Sequence, residues 1–127
     1  MTVSRYGSGG PWEEAYGYSR VVRAGDRFVT AGSTATVDGV VVAPGDPYAQ
    51  ALAAFGIALD ALALAGASVS EVIRSRMYVV SREHVDAVGR AHGSVFAAVR
   101  PVATLVIVAG LLDPAMLVEV ELEAFVA

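Results

Sequence analysis

Three glutamates close to the end of the chain, Glu119, Glu121 and Glu123, are spaced two residues apart. The run around them is apolar and predicts a β-strand, so the three carboxylates leave the same face of that strand. Aligned carboxylates are unfavourable unless their face is solvated or meets cations. Carboxylates held in such a row can act as general acids or bases, or they can position a water molecule.

An earlier strand supplies candidate cations for this row. From Val72 to Val80 polar and apolar side chains alternate, so that Arg74, Arg76 and Tyr78 share one face. Arg76 is a candidate for binding an anionic ligand. The alternative is an ion pair with one of the glutamates, which is favoured because opposite charges on two strands are what simple pairing requires.

The N-terminal part of the chain holds a cluster of aromatic residues, Trp12, Tyr16 and Tyr18. These rings can wall an apolar ligand pocket, or they can anchor the N-terminal segment on the domain or on a neighbouring subunit. Arg20 follows Tyr18 by two residues and so shares its face. It is a candidate for the same pocket, although a solvated or hairpin arginine is the favoured alternative.

The histidines and serines indicate no metal site and no hydrolase triad. The chain has no Cys, and His84 and His92 are eight residues apart, which is not a metal-ligand spacing. His92 falls on the apolar stripe of a predicted helix, where a packed, hydrogen-bonded histidine is favoured over a proton-transfer group. No serine has a recognisable histidine and acid partner, so a hydrolase triad is unsupported. We therefore expect no metal and no cofactor.

Composition limits the function classes further. Hydrophobic residues make up 55% of the 127 residues and charged residues 17%, more apolar than an average small domain can bury, so self-association is expected. The nine basic residues are scattered and the net charge is −4, which argues against a nucleic-acid surface. The N-terminus is polar, and the longest apolar run noted, from Leu105 to Leu112, is too short to span a membrane. We expect a cytoplasmic protein.

Turn and cap signals divide the first half of the chain into elements. Two β-rich runs around Gly25-Asp26 predict a hairpin, and Asp38-Gly39 predicts a turn before a short third strand. Asp46-Pro47 begins a helix and Gly66 ends it. Its apolar face is predicted from residues at steps of three and four, namely Tyr48, Leu52, Phe55, Leu59 and Leu62.

The second half predicts a strand, a helix and two more strands. The helix runs from about Glu83 to Val99, where Pro101 breaks it, and the last two strands are separated by a turn at Asp113-Pro114. Residues 1–15 are predicted to be a lead-in. The order β-β-β-α-β-α-β-β predicts a single α+β domain over residues 1–127, with one mixed sheet and both helices on one face.

Several short strings, through their order and spacing, resemble the reactive intermediate deaminases (the Rid family, also called YjgF-like or L-PSP proteins). The strings are Gly17-Tyr18-Ser19, Ala31-Gly32-Ser33, Ala65-Gly66-Ala67-Ser68, Val88-Gly89-Arg90-Ala91-His92, Pro101 at the start of a strand, and Val120-Glu121-Leu122-Glu123-Ala124. The resemblance covers nearly the whole chain from Gly17.

This resemblance implies a chorismate-mutase-like fold and a homotrimer whose sheets form a central barrel, with ligand pockets at the subunit interfaces. It also implies hydrolysis of enamine and imine intermediates. In the family an arginine binds the substrate carboxylate, while a glutamate and a tyrosine help to position water and substrate. In this chain the resemblance places the glutamate at Glu121 and the tyrosine at Tyr18.

Three positions depart from the family pattern. The motif Pro-Ala-Arg-[Ser/Thr] reads Pro-Val-Ala-Thr here, so Ala103 replaces the arginine, and the family's serine and asparagine fall at Ala31 and Gly89. A carboxylate substrate without that guanidinium loses its main orienting contact. The candidate substrate-binding residues are then Trp12, Arg20, Ala31, Gly32, Arg76, Gly89 and Ala103, with Glu121 and Tyr18 as candidate catalytic residues.

Three functions are compatible with this pattern. The first is a Rid-type homotrimer that binds or acts on a small carbonyl, enamine or imine metabolite between subunits. The second is a non-catalytic ligand-binding or interaction protein on the same scaffold. The third, a ribonuclease or translation inhibitor, is least favoured because the chain is acidic and has no basic patch.

Overall fold

A computed structural model of the chain describes residues 2–127. The strands are β1 Val3–Tyr6, β2 Val21–Ala24, β3 Arg27–Thr30, β4 Ser33–Thr34, β5 Thr36–Val37, β6 Val40–Val41, β7 Val72–Val79, β8 Val102–Ile107 and β9 Val118–Phe125. The helices are α1 Pro11–Tyr16, α2 Pro47–Ala65 and α3 Val85–Phe96. The predicted α+β class and mixed sheet are confirmed, with a short third helix in addition.

The main sheet has the strand order β1-β2-β3-β9-β7-β8. Its pairings are antiparallel except that of β7 with β8, which α3 connects as a crossover. The last two strands run in opposite directions, as predicted, but β7 lies between them. The predicted turns at Gly25-Asp26 and Asp38-Gly39 join β2 to β3 and β5 to β6.

An interruption next to β9 is important for the site. β3 pairs with the end of β9, from Arg27 opposite Phe125 to Val29 opposite Glu123, and β4 pairs with its start, Ser33 opposite Val120. Ala31 and Gly32 connect the two short strands without belonging to either. The chain therefore breaks its ladder beside the glutamate row.

α2 begins and ends where the sequence predicts. Asp46 accepts a hydrogen bond from the Ala49 N–H at 3.0 Å, and Pro47 occupies the first turn. Gly66 ends the helix in the left-handed conformation, at φ 111°. A side chain there would be strained, so the glycine fixes the helix end.

The buried face of α2 differs from the predicted one. It consists of alanines together with Gln50, Phe55 and Leu62, whereas Tyr48, Leu52 and Leu59 of the predicted stripe are partly buried and pack against the core. Small side chains let the helix axis approach the sheet closely, so the alanine face packs inward. By length and composition α2 is also a candidate membrane span, but in this fold it packs as a core helix.

α3 is shorter than predicted because a 3₁₀ turn, Arg82–His84, precedes it and the helix ends at Phe96. His92 lies between the rings of Phe55 and Phe96, with ring centroids 5.6 and 4.8 Å away, and its Nε2 is 2.7 Å from Ser75 Oγ. Burial lowers the pKa of His92. It is a packed, hydrogen-bonded histidine, as favoured from the sequence.

The N-terminal segment has more structure than a lead-in. β1 extends the sheet by pairing with β2, with Val3 opposite Ala24 and Tyr6 opposite Val21. α1 follows, begins at Pro11 and ends at Gly17 in the left-handed conformation. β1 was not predicted because it has only four residues, with one large apolar side chain at each end, which is too short to show an alternation of polar and apolar residues.

Candidate functional site

A cavity of about 780 Å³ opens between α1 and the β3–β4 break. We call it the aromatic cleft and define it by Trp12, Tyr18, Arg20, Gly32 and Glu119, which all line it. α1 supplies the tryptophan, the segment before β2 supplies Tyr18 and Arg20, and β9 supplies the carboxylate. Five of the predicted site residues lie here: Trp12, Tyr18, Arg20, Ala31 and Gly32.

Arg20 is held firmly on one side of the cleft. Its side chain is only 16% exposed, and its NH1 donates to the Gly32 carbonyl at 2.6 Å. Its Nε is 3.3 Å from a carboxylate oxygen of Glu13, which also accepts hydrogen bonds from the Ser8 N–H and hydroxyl. Of the two favoured alternatives, the solvated arginine is wrong, because the buried Glu13 of α1 draws the guanidinium inward. Arg20 does lie at the base of the β2–β3 hairpin, where its carbonyl accepts a hydrogen bond from the Ala31 N–H at 2.9 Å.

The balance of effects at Glu13 favours its ionised form. Burial raises the pKa of Glu13, but hydrogen bonds from Ser8 and Arg20, together with the positive charge of Arg20, outweigh it and lower the pKa overall. Glu13 is 7% exposed and so behaves as a permanent counter-ion of Arg20. The Arg20 guanidinium therefore lines the cleft with its charge already neutralised by Glu13.

Glu119 lies over Gly32 at the floor of the cleft. A Cβ added to Gly32 would be 1.9 Å from Glu119 Oε2, so the absence of a side chain at residue 32 makes room for this carboxylate. Burial raises the pKa of Glu119, and the charge of Glu121 raises it further, while Arg20 offsets part of the effect. Glu119 has no arginine within ion-pair distance among the described residues.

A second, smaller cavity of about 230 Å³ lies beside Glu121. Gly32 and Glu119 line it as well, so it adjoins the aromatic cleft at these two residues. The Tyr78 hydroxyl donates a hydrogen bond to Glu121 Oε1. This bond, followed by burial, raises the pKa of Tyr78, so the phenol stays protonated and keeps donating. Glu121 is thereby fixed in orientation.

The arginines of β7 meet the glutamates of β9, as the shared face predicts. Arg76 is opposite Glu121 in the ladder, but its NH1 lies 3.3 Å from Glu123 Oε1, and Arg27 approaches the other oxygen of Glu123 at 2.8 Å. Arg74 is 4.0 Å from Glu123. Arg76 therefore forms the ion pair that was favoured, and it lies outside both cavities.

The two remaining predicted residues are apart from both cavities. Ala103 is exposed on the edge strand β8, opposite Ser75, and Gly89 is exposed on α3. Because Ser75 faces α3 while Arg76 faces the glutamates, Ala103 also lies on the helix side of the sheet. Within one protomer these positions do not meet Tyr18 or Glu121.

Three residues that the structure places in the site were not singled out as site residues from the sequence. Glu13 was read as part of a lead-in, and Tyr78 only as one of an alternating set. Glu119 was recognised as a member of the glutamate row, but the glycine beneath it could not be known without the β4 register. The spacing of two between Tyr78 and Arg76 was the one signal that pointed to a shared face.

No group of three or more potential metal ligands forms among residues 2–127. Among the described residues, the Tyr78 hydroxyl is the side-chain hydrogen-bond donor to Glu121.

The fold is that of the YjgF class. The sequence matches the family described as Endoribonuclease L-PSP over residues 12–126. An uncharacterized protein of Streptomyces coelicolor, SCO2049, is 48% identical over 123 residues, which cover 97% of this chain and 92% of the relative. The chain belongs to the L-PSP family.

Solved structures agree with this assignment. The crystal structure of Rv2704 from Mycobacterium tuberculosis, a member of the YjgF/YER057c/UK114 family, has a TM-score of 0.89 and 38% identity, covering 98% of this chain and 100% of that one. A protein of unknown function from Pseudomonas aeruginosa, PA3499, has a TM-score of 0.84 and 30% identity, with coverage of 98% and 92%. The predicted family resemblance is confirmed.

Proposed function

We propose that this chain is a Rid-type protein that binds or acts on a small carbonyl, enamine or imine metabolite, in a pocket completed by other copies of the chain in a homotrimer. The observation that carries the proposal is the arrangement of two carboxylates around Gly32. Glu119 has a raised pKa and Glu121 is oriented by Tyr78. A carboxyl group with a raised pKa in the aromatic cleft therefore lies near a fixed carboxylate in the adjoining cavity.

This pair suits the hydrolysis of an imine. Water adds to the carbon of the C=N bond and loses a proton to a base while the nitrogen gains a proton, which gives a carbinolamine. The hydroxyl group of the carbinolamine then loses its proton, the nitrogen gains a second one, and the C–N bond breaks to give a carbonyl compound and ammonia. Glu121 is the candidate base and Glu119 the candidate acid. A carboxyl group with a raised pKa is closer to the operating pH of such transfers than an ordinary glutamate.

The scattered positions of the predicted site residues support a pocket shared between subunits. Ala103 and Gly89 correspond to family site positions yet lie far from the aromatic cleft in one protomer. The open sheet face also leaves apolar side chains exposed, with Val102 at 60%, Val106 at 41% and Val29 at 38%. Association through this face would cover them and bring β8 of one copy toward the cleft of the next.

The alanine at position 103, where the family has arginine, limits the class of substrate that the site can bind. The two arginines that could replace the missing guanidinium are already paired, Arg76 with Glu123 and Arg20 with Glu13. A 2-imino acid is then bound without its bidentate partner. We therefore propose that standard 2-imino acids are poor substrates and that the metabolite lacks a carboxylate.

Ligand binding without turnover is the second candidate function. It is favoured by the loss of three polar family positions at Ala31, Gly89 and Ala103, which leaves the scaffold with fewer groups to hold a substrate. Turnover that is abolished by Glu121→Gln would exclude this candidate. An acidic cleft and a net charge of −4 argue against RNA as the ligand.

The test compares freshly generated 2-iminopropionate and 2-iminobutyrate as substrates for the wild type, Ala103→Arg and Ala103→Lys. We expect slow hydrolysis by the wild type and at least about tenfold faster hydrolysis by Ala103→Arg, since a guanidinium–carboxylate bond is among the stronger polar contacts. Ala103→Lys serves as the control for charge without the bidentate geometry. A wild type as fast as Ala103→Arg would contradict the proposed loss of carboxylate binding.

A further inference from the structure

We infer that the aromatic cleft selects an organic cation, a protonated imine or amine that carries an apolar group, over a carboxylate-bearing molecule. This inference rests on the proposed function, because it names the substrate class of the same site. Three features of the cleft carry it: its charge, its aromatic wall and an unused polar group.

The charge of the cleft is negative once its internal pairing is considered. One arginine lines it, Arg20, and Glu13 neutralises that arginine at 3.3 Å. Glu119 remains without an ion-pair partner among the described residues, and Asp38 and Asp113 stand on the lining as well. An incoming carboxylate would meet like charge, whereas a cation would meet an unmatched carboxylate.

The wall of the cleft suits a cation with an apolar substituent. Trp12, Tyr16 and Tyr18 all line it, and they remain 44%, 76% and 40% exposed. The faces of tryptophan and tyrosine attract organic cations through their ring quadrupoles and also cover alkyl or aryl groups. Arg20 shows the same preference within the chain, with its guanidinium carbon 5.7 Å from the centroid of Tyr18.

A buried hydroxyl in the same cleft lacks a partner. Ser33 is 2% exposed and lines the cleft, and its Oγ makes no hydrogen bond within the described part of the chain. A buried polar group without a partner is uncommon and costs free energy. A hydroxyl oxygen accepts hydrogen bonds, so an N–H group of the ligand can satisfy it.

A bound cation also changes the state of Glu119. Free, this carboxyl group has its pKa raised by burial and by the neighbouring Glu121. A positive charge placed against it stabilises the ionised form and lowers that pKa. The ligand and Glu119 then share one proton, which is the arrangement that the acid step of imine hydrolysis requires.

The test uses three stable probes of nearly equal size: phenethylamine, 2-phenylethanol and phenylacetate. Trp12 is the single tryptophan of the chain and lines the cleft, so quenching of its fluorescence reports binding there. The full-length wild type is titrated with each probe, and the titrations are repeated with Glu119→Gln. Glu14→Gln is the matched control, because Glu14 is an exposed glutamate of α1 that does not line the cleft.

We expect phenethylamine to bind about 10- to 100-fold more tightly than 2-phenylethanol, as a charge-assisted hydrogen bond predicts, with phenylacetate weakest. Glu119→Gln removes this preference and Glu14→Gln keeps it. Equal binding of the amine and the alcohol, tighter binding of phenylacetate, no binding of any probe, or an unchanged preference in Glu119→Gln would each overturn the inference. The wild-type comparison decides the matter even if Glu119→Gln folds poorly.

Failure of this inference is distinguishable from failure of the proposed function. Tight binding of phenylacetate together with measurable imine hydrolysis would overturn the cation preference and leave the proposed function standing. A protein that binds phenethylamine but hydrolyses no imine would keep the cation site and reduce the function to ligand binding.

Discussion

The substitution Gly32→Ala tests whether the position of Glu119 depends on a missing side chain. The added Cβ would lie 1.9 Å from Oε2, 2.8 Å from Cδ and 3.2 Å from Cγ of Glu119. Heavy atoms essentially never approach such a carbon closer than 3.0 Å, so the carboxylate has to leave its place over residue 32. The movement exceeds what a small bond rotation provides and requires another rotamer.

The effect on stability is expected to be small, whereas the effect on the site is large. A strained rotamer costs about 0.5–1.5 kcal/mol. Replacing glycine by alanine restricts the unfolded chain and so raises the free energy of unfolding by about 0.4–1 kcal/mol where the backbone conformation is compatible. Gly32 has no positive φ, so the free energy of unfolding should change by less than about 1 kcal/mol.

The assay combines urea unfolding with a carbon NMR titration of the glutamate carboxyl groups. In Gly32→Ala the displaced carboxylate moves toward solvent, so the pKa of Glu119 should fall toward its ordinary value. Gly56→Ala is the matched control, because a Cβ there meets nothing within 4 Å and Gly56 lies inside α2. An unchanged pKa of Glu119 in Gly32→Ala would refute the role given to Gly32.

Further predictions concern the buried groups around the site. Because the pKa of folded Glu119 is raised, its protonated form contributes stability at low pH, and this stability is lost as the pH rises through the folded pKa. Urea unfolding should therefore show that Glu119→Gln stabilises the protein more at pH 7 than at pH 4. Burial lowers the pKa of His92, so the stability that its neutral form contributes above about pH 6.5 should decline as the pH falls through the folded pKa. Thermal unfolding of His92→Gln should not show this decline. Gln50 is fully buried; its side chain donates to the carbonyls of Ala43 and Ala115 and accepts from the Leu117 N–H at 2.9 Å. Gln50→Leu should therefore lower the free energy of unfolding, measured by chemical denaturation, by about 2–4 kcal/mol. A loss under about 1 kcal/mol would contradict the anchoring role of Gln50. Ser33→Ala removes the hydroxyl without a partner and should leave the unfolding free energy unchanged or raise it by up to about 1 kcal/mol, while a large loss would reveal a missed hydrogen bond.

Much of the fold could be predicted because its signals are local. The Asp46-Pro47 start and the Gly66 end of α2 are set by capping chemistry within a few residues. The common face of Arg76 and Glu121 follows from the period of two in each strand. The predicted apolar face of α2 contacts the core through all five of its residues, but it missed the fully buried alanines, because alanines carry little hydrophobic signal by themselves and yet allow close approach.

The candidate site was harder to predict because its decisive contacts are non-local. The proximity of Gly32 and Glu119 depends on the register of β4 on β9, which no short segment encodes. The burial of Arg20 depends on Glu13, seven residues earlier, in a helix that was read as a lead-in. The family motif identified Tyr18 and Glu121, but only the structure shows Tyr78 bound to Glu121.

The central claim is that the carboxylates beside Gly32 promote hydrolysis of an imine without a carboxylate. The most direct measurement is the hydrolysis of N-benzylidenemethylamine to benzaldehyde and methylamine, followed by absorbance, with the wild type and Glu121→Gln. We expect acceleration over buffer by the wild type and a loss of about 100-fold or more in Glu121→Gln, the usual size of general acid–base effects. Equal rates for the two proteins, or a wild type no faster than buffer, would contradict the claim.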